Sequence, residues 1–435
     1  MQKSENYKMT ILKSCDGCYF PSFFTIHLDT DLPPEQYLKE NFDSTIVHEY
    51  IHFLQDISTT YGLANLSNVL AKIPNFYNLH EKKITLPYIF NYNFGNERLN
   101  RDLFNVYYNE CKFEKIPQDK INLSLESEST LAYIEDIELL KEKYPNPELC
   151  SYTLVITYNG VTKKYPFGTC AIMESMASLI EQHLFPIKKS FFYTPYDLAN
   201  LVARYIYPEI ASKPENIVAI CDLSLMYVNS PEFFIGIIER MKASAFIPNK
   251  IEDLYLYALS KPEFQYDSYF EQAKKEAYNR IKTIVNVDLE DFIICRDWAL
   301  ESVERAFCAR KNKAHFISEL MELEPQYAKQ KLYNEISENI SPLIFNNKNQ
   351  LCLLGNVEEE KKDKYTYWFL LKPFYEYIFI NKSDKCPYNE FCQLCERNDE
   401  CIINPLLRVG KEDGTQCIFQ LFARMFGLYK YTIIN

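Results

Sequence analysis

Apolar residues recur along most of this chain at the three-and-four spacing of helices, and only short stretches alternate as strands do. Met9 to Leu12 and Tyr19 to Leu28 are rich in β-branched and aromatic residues and read as strands, broken at Cys15, Asp16, Gly17 and Cys18. Pro33 and Pro34 end that extended part, and from about Glu35 the pattern turns helical. Asp43 or Ser44 can cap a helix running through Ile46, Val47, Ile51, Leu54 and Ile57. These residues lie on more than one face, which predicts a buried helix. Tyr152 to Tyr158 is a strand, Asn159-Gly160 is a hairpin signal, and Val161 to Phe167 is the returning strand. Gly168 and Thr169, with Thr169 as cap, then open a helix from Ala171 to His183 that Pro186 stops. Beyond Pro195 the periodicity predicts helices at roughly 196–208, 216–228, 232–244, 266–310 with breaks, and 314–337. Glu358 to Lys364 is a charged, solvated loop at a domain edge, and the residues after it place aromatic segments on either side of a tight cysteine group.

Composition sharpens this picture. Among 435 residues only 10 are Gly against 34 Tyr and 30 Phe, a balance that disfavours glycine-rich nucleotide loops and turn-dense all-β folds. The expected fold class is mainly α with small β elements (α+β). Its expected parts are a metal-binding catalytic region at 1–190, a helical region at 191–345 and a C-terminal region at 346–435 carrying the cysteines. A net charge of −12 repels phosphate backbones and anionic lipid, so neither nucleic acid nor a membrane is an expected partner. The start, MQKSENYKMTILK, has no signal-peptide stretch, and Tyr365 to Ile380 is broken by Lys372, Pro373 and Glu376. A cytoplasmic location follows, in which the 14 cysteines are thiols or metal ligands.

The chemistry concentrates in Thr45 to Leu54, which contains H-E-x-x-H. On a helix His48 and His52 are one turn apart and about 40° apart around the axis, so both imidazoles reach one metal ion. Glu49 lies on the adjoining flank, where it faces water at that ion and can act as general base. A chain with six histidines contains this pattern by chance in roughly half a percent of cases. No other charge interrupts Thr45 to Leu54, as expected of a helix beneath an active site.

The segment HEYIHFLQD, His48 to Asp56, resembles the active-site helix of zincin metallopeptidases. The resemblance implies a zincin-like catalytic core in which both histidines bind catalytic Zn2+ and the glutamate activates water. The metzincin branch would require a third histidine shortly after the motif, and Gln55 to Ala64 contains none. In the gluzincin branch a glutamate from a later helix completes the set. Met173 to Ser178, MESMAS, is similar to that pattern, which makes Glu174 the implied third ligand, with Glu181 and His183 as rivals on the same helix. The interval from His52 to Glu174 is far longer than is common in that branch and implies a large insertion. Ser178 stands where some gluzincins carry an aspartate that orients a ligand histidine. Asp56 is a candidate acceptor for the outer nitrogen of His52.

Cys386, Cys392, Cys395 and Cys401 form a second constellation with spacings of five, two and five. Its inner Cys-x2-Cys fits a structural zinc, an iron–sulfur cluster or unliganded thiols being the alternatives. Cys15-x2-Cys18 has no second pair nearby and reads as a turn with two free thiols. The expectation is a cytoplasmic zinc metallopeptidase that hydrolyses peptide bonds, with a protein or peptide substrate. Tyr158, Tyr165, Arg204 and Tyr205 are candidate donors to the developing oxyanion. Two other readings compete: a non-catalytic, zinc-stabilised helical interaction module, and a regulator sensing through the C-terminal cysteines.

Overall fold

A computed structural model of the chain describes residues 17–73, 83–86, 103–118, 121–129, 149–186, 191–262, 265–284, 290–355, 364–379, 385–388, 404–409 and 417–434. In chain order the structure opens with β1 (Gly17–Phe20), β2 (Thr25–Leu28), α1 (Pro34–Glu40), α2 (Ser44–Ser58) and α3 (Thr60–Lys72). There follow β3 (Lys83–Thr85), β4 (Glu114–Pro117), β5 (Asn122–Ser129), β6 (Cys150–Tyr158), β7 (Val161–Phe167), α4 (Thr169–Leu184) and β8 (Phe191–Thr194). The helical stretch comprises α5 (Leu198–Ile206), α6 (Pro208–Ala211), α7 (Pro214–Ser224), α8 (Ser230–Ala243), α9 (Ile251–Leu259), α10 (Asp267–Ile284), α11 (Glu290–Asn312) and α12 (Pro325–Asn334). The chain ends with β9 (Leu343–Phe345), β10 (Leu351–Leu353), α13 (Thr366–Phe379), α14 (Ile418–Met425) and β11 (Thr432–Ile434). The protein is thus mainly helical with small sheets, and no helix among the described residues is long and apolar enough to cross a membrane.

At the centre stands α2, buried at every position from Ile46 to Ser58 as its all-round apolar pattern predicts. Asp43 caps it, its carboxylate accepting from the Ile46 N–H at 3.2 Å. The other end is held by Arg310 from α11, whose Nε donates to the Ser58 carbonyl at 3.2 Å. Arg310 in turn forms a two-pronged ion pair with Asp222 of α7, at 2.9 and 2.8 Å. Tyr255 and Ser318 also donate to Asp222, at 2.5 and 3.3 Å. A cationic group at the negative end of a helix dipole is favourable, and here it is fully buried and fully hydrogen-bonded.

Four strands lie beside α2 in the order β1-β2-β9-β10. β1 and β2 pair antiparallel, as do β9 and β10, and β2 pairs parallel with β9. Gly17 lets β1 approach closely, since a Cβ there would stand 2.7 Å from Thr45 Cγ2 and 3.7 Å from Glu49 Cγ. Cys18 is accordingly buried inside a strand, correcting the expected turn. The hairpin at Asn159-Gly160 forms as its sequence predicts, both residues at positive φ, and β5 adds a third strand on the far side of β6. β4 and β8 make a separate antiparallel ribbon.

On α4 the cap is Gly168, not Thr169, whose buried hydroxyl has no partner. The predicted 314–337 helix divides into a 3₁₀ turn at Ser318–Glu322, α12, and a π-helical turn at Glu335–Asn339. Pro325, having no N–H to continue the first turn, starts α12 afresh. The 266–310 stretch resolves into α10 and α11, and the aromatic segment after Tyr365 is α13 with Pro373 inside it. Met9 to Leu12, Cys15, Glu358 to Asp363, Cys392, Cys395 and Cys401 lie outside the described residues.

Candidate metal centre

α2 packs against α4, and their facing sides bring His48, His52 and Glu174 together, all three buried. His48 Nε2 is 3.1 Å from His52 Nε2 and 3.2 Å from Glu174 Oε2, and His52 Nε2 is 3.3 Å from Glu174 Oε1. Tetrahedral bonds of about 2.0–2.1 Å place ligand atoms roughly 3.3–3.4 Å apart, so the donors stand near the separation zinc requires. Among the described residues, the group consists of these three.

The outer nitrogens fix what the inner ones can do. Gln55 Nε2 donates to the Met173 carbonyl at 3.1 Å, which turns Gln55 Oε1 towards His52 Nδ1 at 2.8 Å. An amide oxygen only accepts, so Nδ1 of His52 carries the hydrogen and its Nε2 keeps a lone pair. Glu181 Oε2 lies 3.0 Å from His48 Nδ1 and imposes the same tautomer there. Two lone pairs therefore face each other beside a carboxylate, an arrangement that a cation satisfies.

Electrostatics agree. Burial alone would lower the pKa of His48, but hydrogen bonds to Glu174 and Glu181 and the charge of Glu49 raise it well above the usual value. His52 shows the same competition, burial being outweighed chiefly by Glu174, and its pKa is also raised. Burial would raise the Glu174 carboxyl, yet His52 and then His48 bring it down to about 2. The pocket thus favours positive charge at its centre. Glu49 is buried on the flank of α2 next to β1, within electrostatic reach of both imidazoles.

Several sequence-based candidates stand elsewhere. Glu181 meets the far nitrogen of His48 and is not in the ligand triangle, and His183 bonds the Leu323 carbonyl at 2.8 Å. Asp56 does not hold His52; it accepts from the Tyr19 hydroxyl at 2.7 Å and the Ser22 N–H at 2.6 Å. Burial pushes that carboxyl up to about 7 against the opposing pull of those two bonds. Gln55, one residue earlier, does what Asp56 was expected to do, because i+3 rather than i+4 brings its amide under the ring. Ser178 accepts from Gln182 Nε2 at 2.9 Å and leaves the orienting role to Glu181.

Tyr165 donates to Glu114 at 3.1 Å, the Tyr158 ring lies under Lys163, and Arg204 and Tyr205 are exposed. Tyr196 does stand beside the centre, its ring edge-on to His48 with centroids 5.6 Å apart. Periodicity places it at the start of a helix at 196–208, whereas it stands in the turn between β8 and α5. Cys386 is buried, and its three companions lie outside the described residues. Compared with known proteins, the chain matches no family model, no curated protein and no solved structure.

Proposed function

We propose that this chain is a zinc-dependent peptidase, its metal held by His48, His52 and Glu174 and its general base Glu49. The observation that carries this reading is the convergence of two Nε2 lone pairs and one carboxylate at 3.1–3.3 Å, with both outer nitrogens already bonded. A metal held by these three residues would keep a fourth position for water, as in reactive centres and not in closed structural ones. Zinc there supplies Lewis-acid polarisation of a carbonyl and activation of water near neutral pH. Glu49, buried on the flank of α2, would take a proton from the attacking water and deliver it to the leaving amine. Glu181 and Gln55 hold the outer Nδ1 atoms, so loading the site would release the inner protons without turning the rings. Tyr196, whose ring lies edge-on to His48, is the candidate donor to the developing oxyanion in this reading. The four C-terminal cysteines are proposed as a second, structural zinc site on their spacing. A protein or peptide substrate and a cytoplasmic location complete the reading.

The test couples metal analysis to hydrolysis. Wild type should bind zinc at this centre and cleave peptides from a mixed-sequence library. Glu49→Gln should keep the zinc and lose about 10²–10⁴-fold in rate. His48→Ala with His52→Ala should lose one zinc, and Cys392→Ala with Cys395→Ala the other. Zinc content unmoved by the histidine changes would sink the proposal.

A further inference from the structure

We infer that the outer face of the β4–β8 ribbon selects the substrate of this centre and receives an aromatic side chain next to the bond to be cut. This inference rests on the peptidase reading above. The register pairs Lys115 with Tyr193 and Pro117 with Phe191, and residues directly opposite each other share a face. Alternation puts Phe113 on that face too, while the other face turns the fully buried Ile116 and Thr194 inward. The ribbon is therefore anchored by its inner side, yet its outer side carries Phe113 at 58% exposure and Phe191 at 39%.

These rings are not scattered. Phe113 stacks on Tyr193 with centroids 5.7 Å apart and meets Tyr196 edge-on at 6.1 Å. Tyr196 in turn stands edge-on to His48, so one aromatic series runs from solvent to a metal ligand. Exposed apolar surface that leads through touching rings to a buried group of metal-binding side chains has the composition of a recognition site. The Lys115 ammonium sits over the Phe191 and Tyr193 rings at 6.0 and 5.9 Å, which sets the charge preference. A basic side chain would meet a like charge there, whereas an aromatic one adds a further ring to the series.

The probes are blocked peptide hydroxamates that differ only in the side chain next to the chelating group: phenylalanine, alanine or lysine. Their affinities are measured by calorimetry on the zinc-loaded full chain and on its Phe113→Ala and Tyr193→Ala variants. Wild type should prefer the phenylalanine probe over the alanine probe by about tenfold, the size of a good ring–ring contact. The lysine probe should bind more weakly than either. In Phe113→Ala and Tyr193→Ala the aromatic preference should collapse while alanine-probe affinity holds, which also shows that fold and metal are intact. Probes that all bind wild type equally, or a preference that survives both substitutions, would overturn the inference and leave the peptidase reading standing. Failure of every hydroxamate to bind zinc-loaded wild type would overturn both.

Discussion

Gln55 and Glu181 each spend one acceptor on an Nδ1 atom, and the consequence is felt at the opposite edge of each ring. Loss of either acceptor frees its imidazole to rotate or to change tautomer, so Gln55→Ala or Glu181→Ala should weaken zinc binding by about 10–100-fold. Competition against a chelator of known affinity measures this, and unchanged affinity in both variants would show that the rings are held by other means. Away from the centre, Glu319 illustrates how charge tunes stability. Burial would raise its pKa, but Lys313 and Lys331 bond it and bring it below the usual glutamate value. A carboxyl depressed in the folded state contributes stability above its unfolded pKa of about 4.3, and that contribution is lost as pH falls through the folded value. Thermal midpoints of Glu319→Gln should therefore fall less than those of wild type between neutral pH and the acid range. Parallel curves would refute this assignment.

At the scale of elements, the position of α2 depends on contacts at both ends. The Asp43 cap is local, and Ser44 to Ser58 follow it as one apolar helix. The far end relies on Arg310 and Asp222, whose side chains are 1% and 0% exposed. Removing one partner leaves the other charge buried and unpaired, so Arg310→Ala should cost about 3–5 kcal/mol. Replacing both, as Arg310→Met with Asp222→Leu, should cost markedly less, because no orphan charge remains. Urea unfolding of the two variants compares them directly. Equal losses would mean that the hydrogen bonds to Ser58, and not charge burial, dominate.

Over the whole molecule, distant stretches of chain share one buried apolar cluster. β9 is buried throughout and supplies the parallel partner of β2. Tyr50 of α2 donates to the Ile340 carbonyl at 2.8 Å, and Trp368 of α13 stacks on Phe24 with centroids 5.6 Å apart. A chain cut after Ile340 would uncover β2, Phe24 and one side of α2 together. Such a fragment should fail to unfold cooperatively and should be degraded rapidly under limited proteolysis. A protease-resistant, cooperative fragment would show that the first part of the chain folds alone.

Helix α2 and its two histidines were legible in the sequence because their geometry is local: the i, i+4 relation follows from helical pitch alone. The same holds for the Asn159-Gly160 hairpin, whose turn conformation is a property of two residues. Glu174 is preferred over Glu181 and His183 only through the resemblance of MESMAS to the gluzincin pattern, since helical periodicity alone does not choose among them. Glu174 and Glu181, two turns apart on α4, both reach His48, and which ring nitrogen each meets depends on how the two helices cross. The nearness of Tyr196 to His48 and the pairing of β2 with β9 have the same origin. Each joins segments far apart in the chain through packing, and no pattern within either segment encodes where the other will lie. The residue types and periodicities determined which elements form and which groups could bind a metal. Only the tertiary structure decided which of those groups meet, because burying the apolar faces of α2, α4 and the sheet together fixes their mutual orientation.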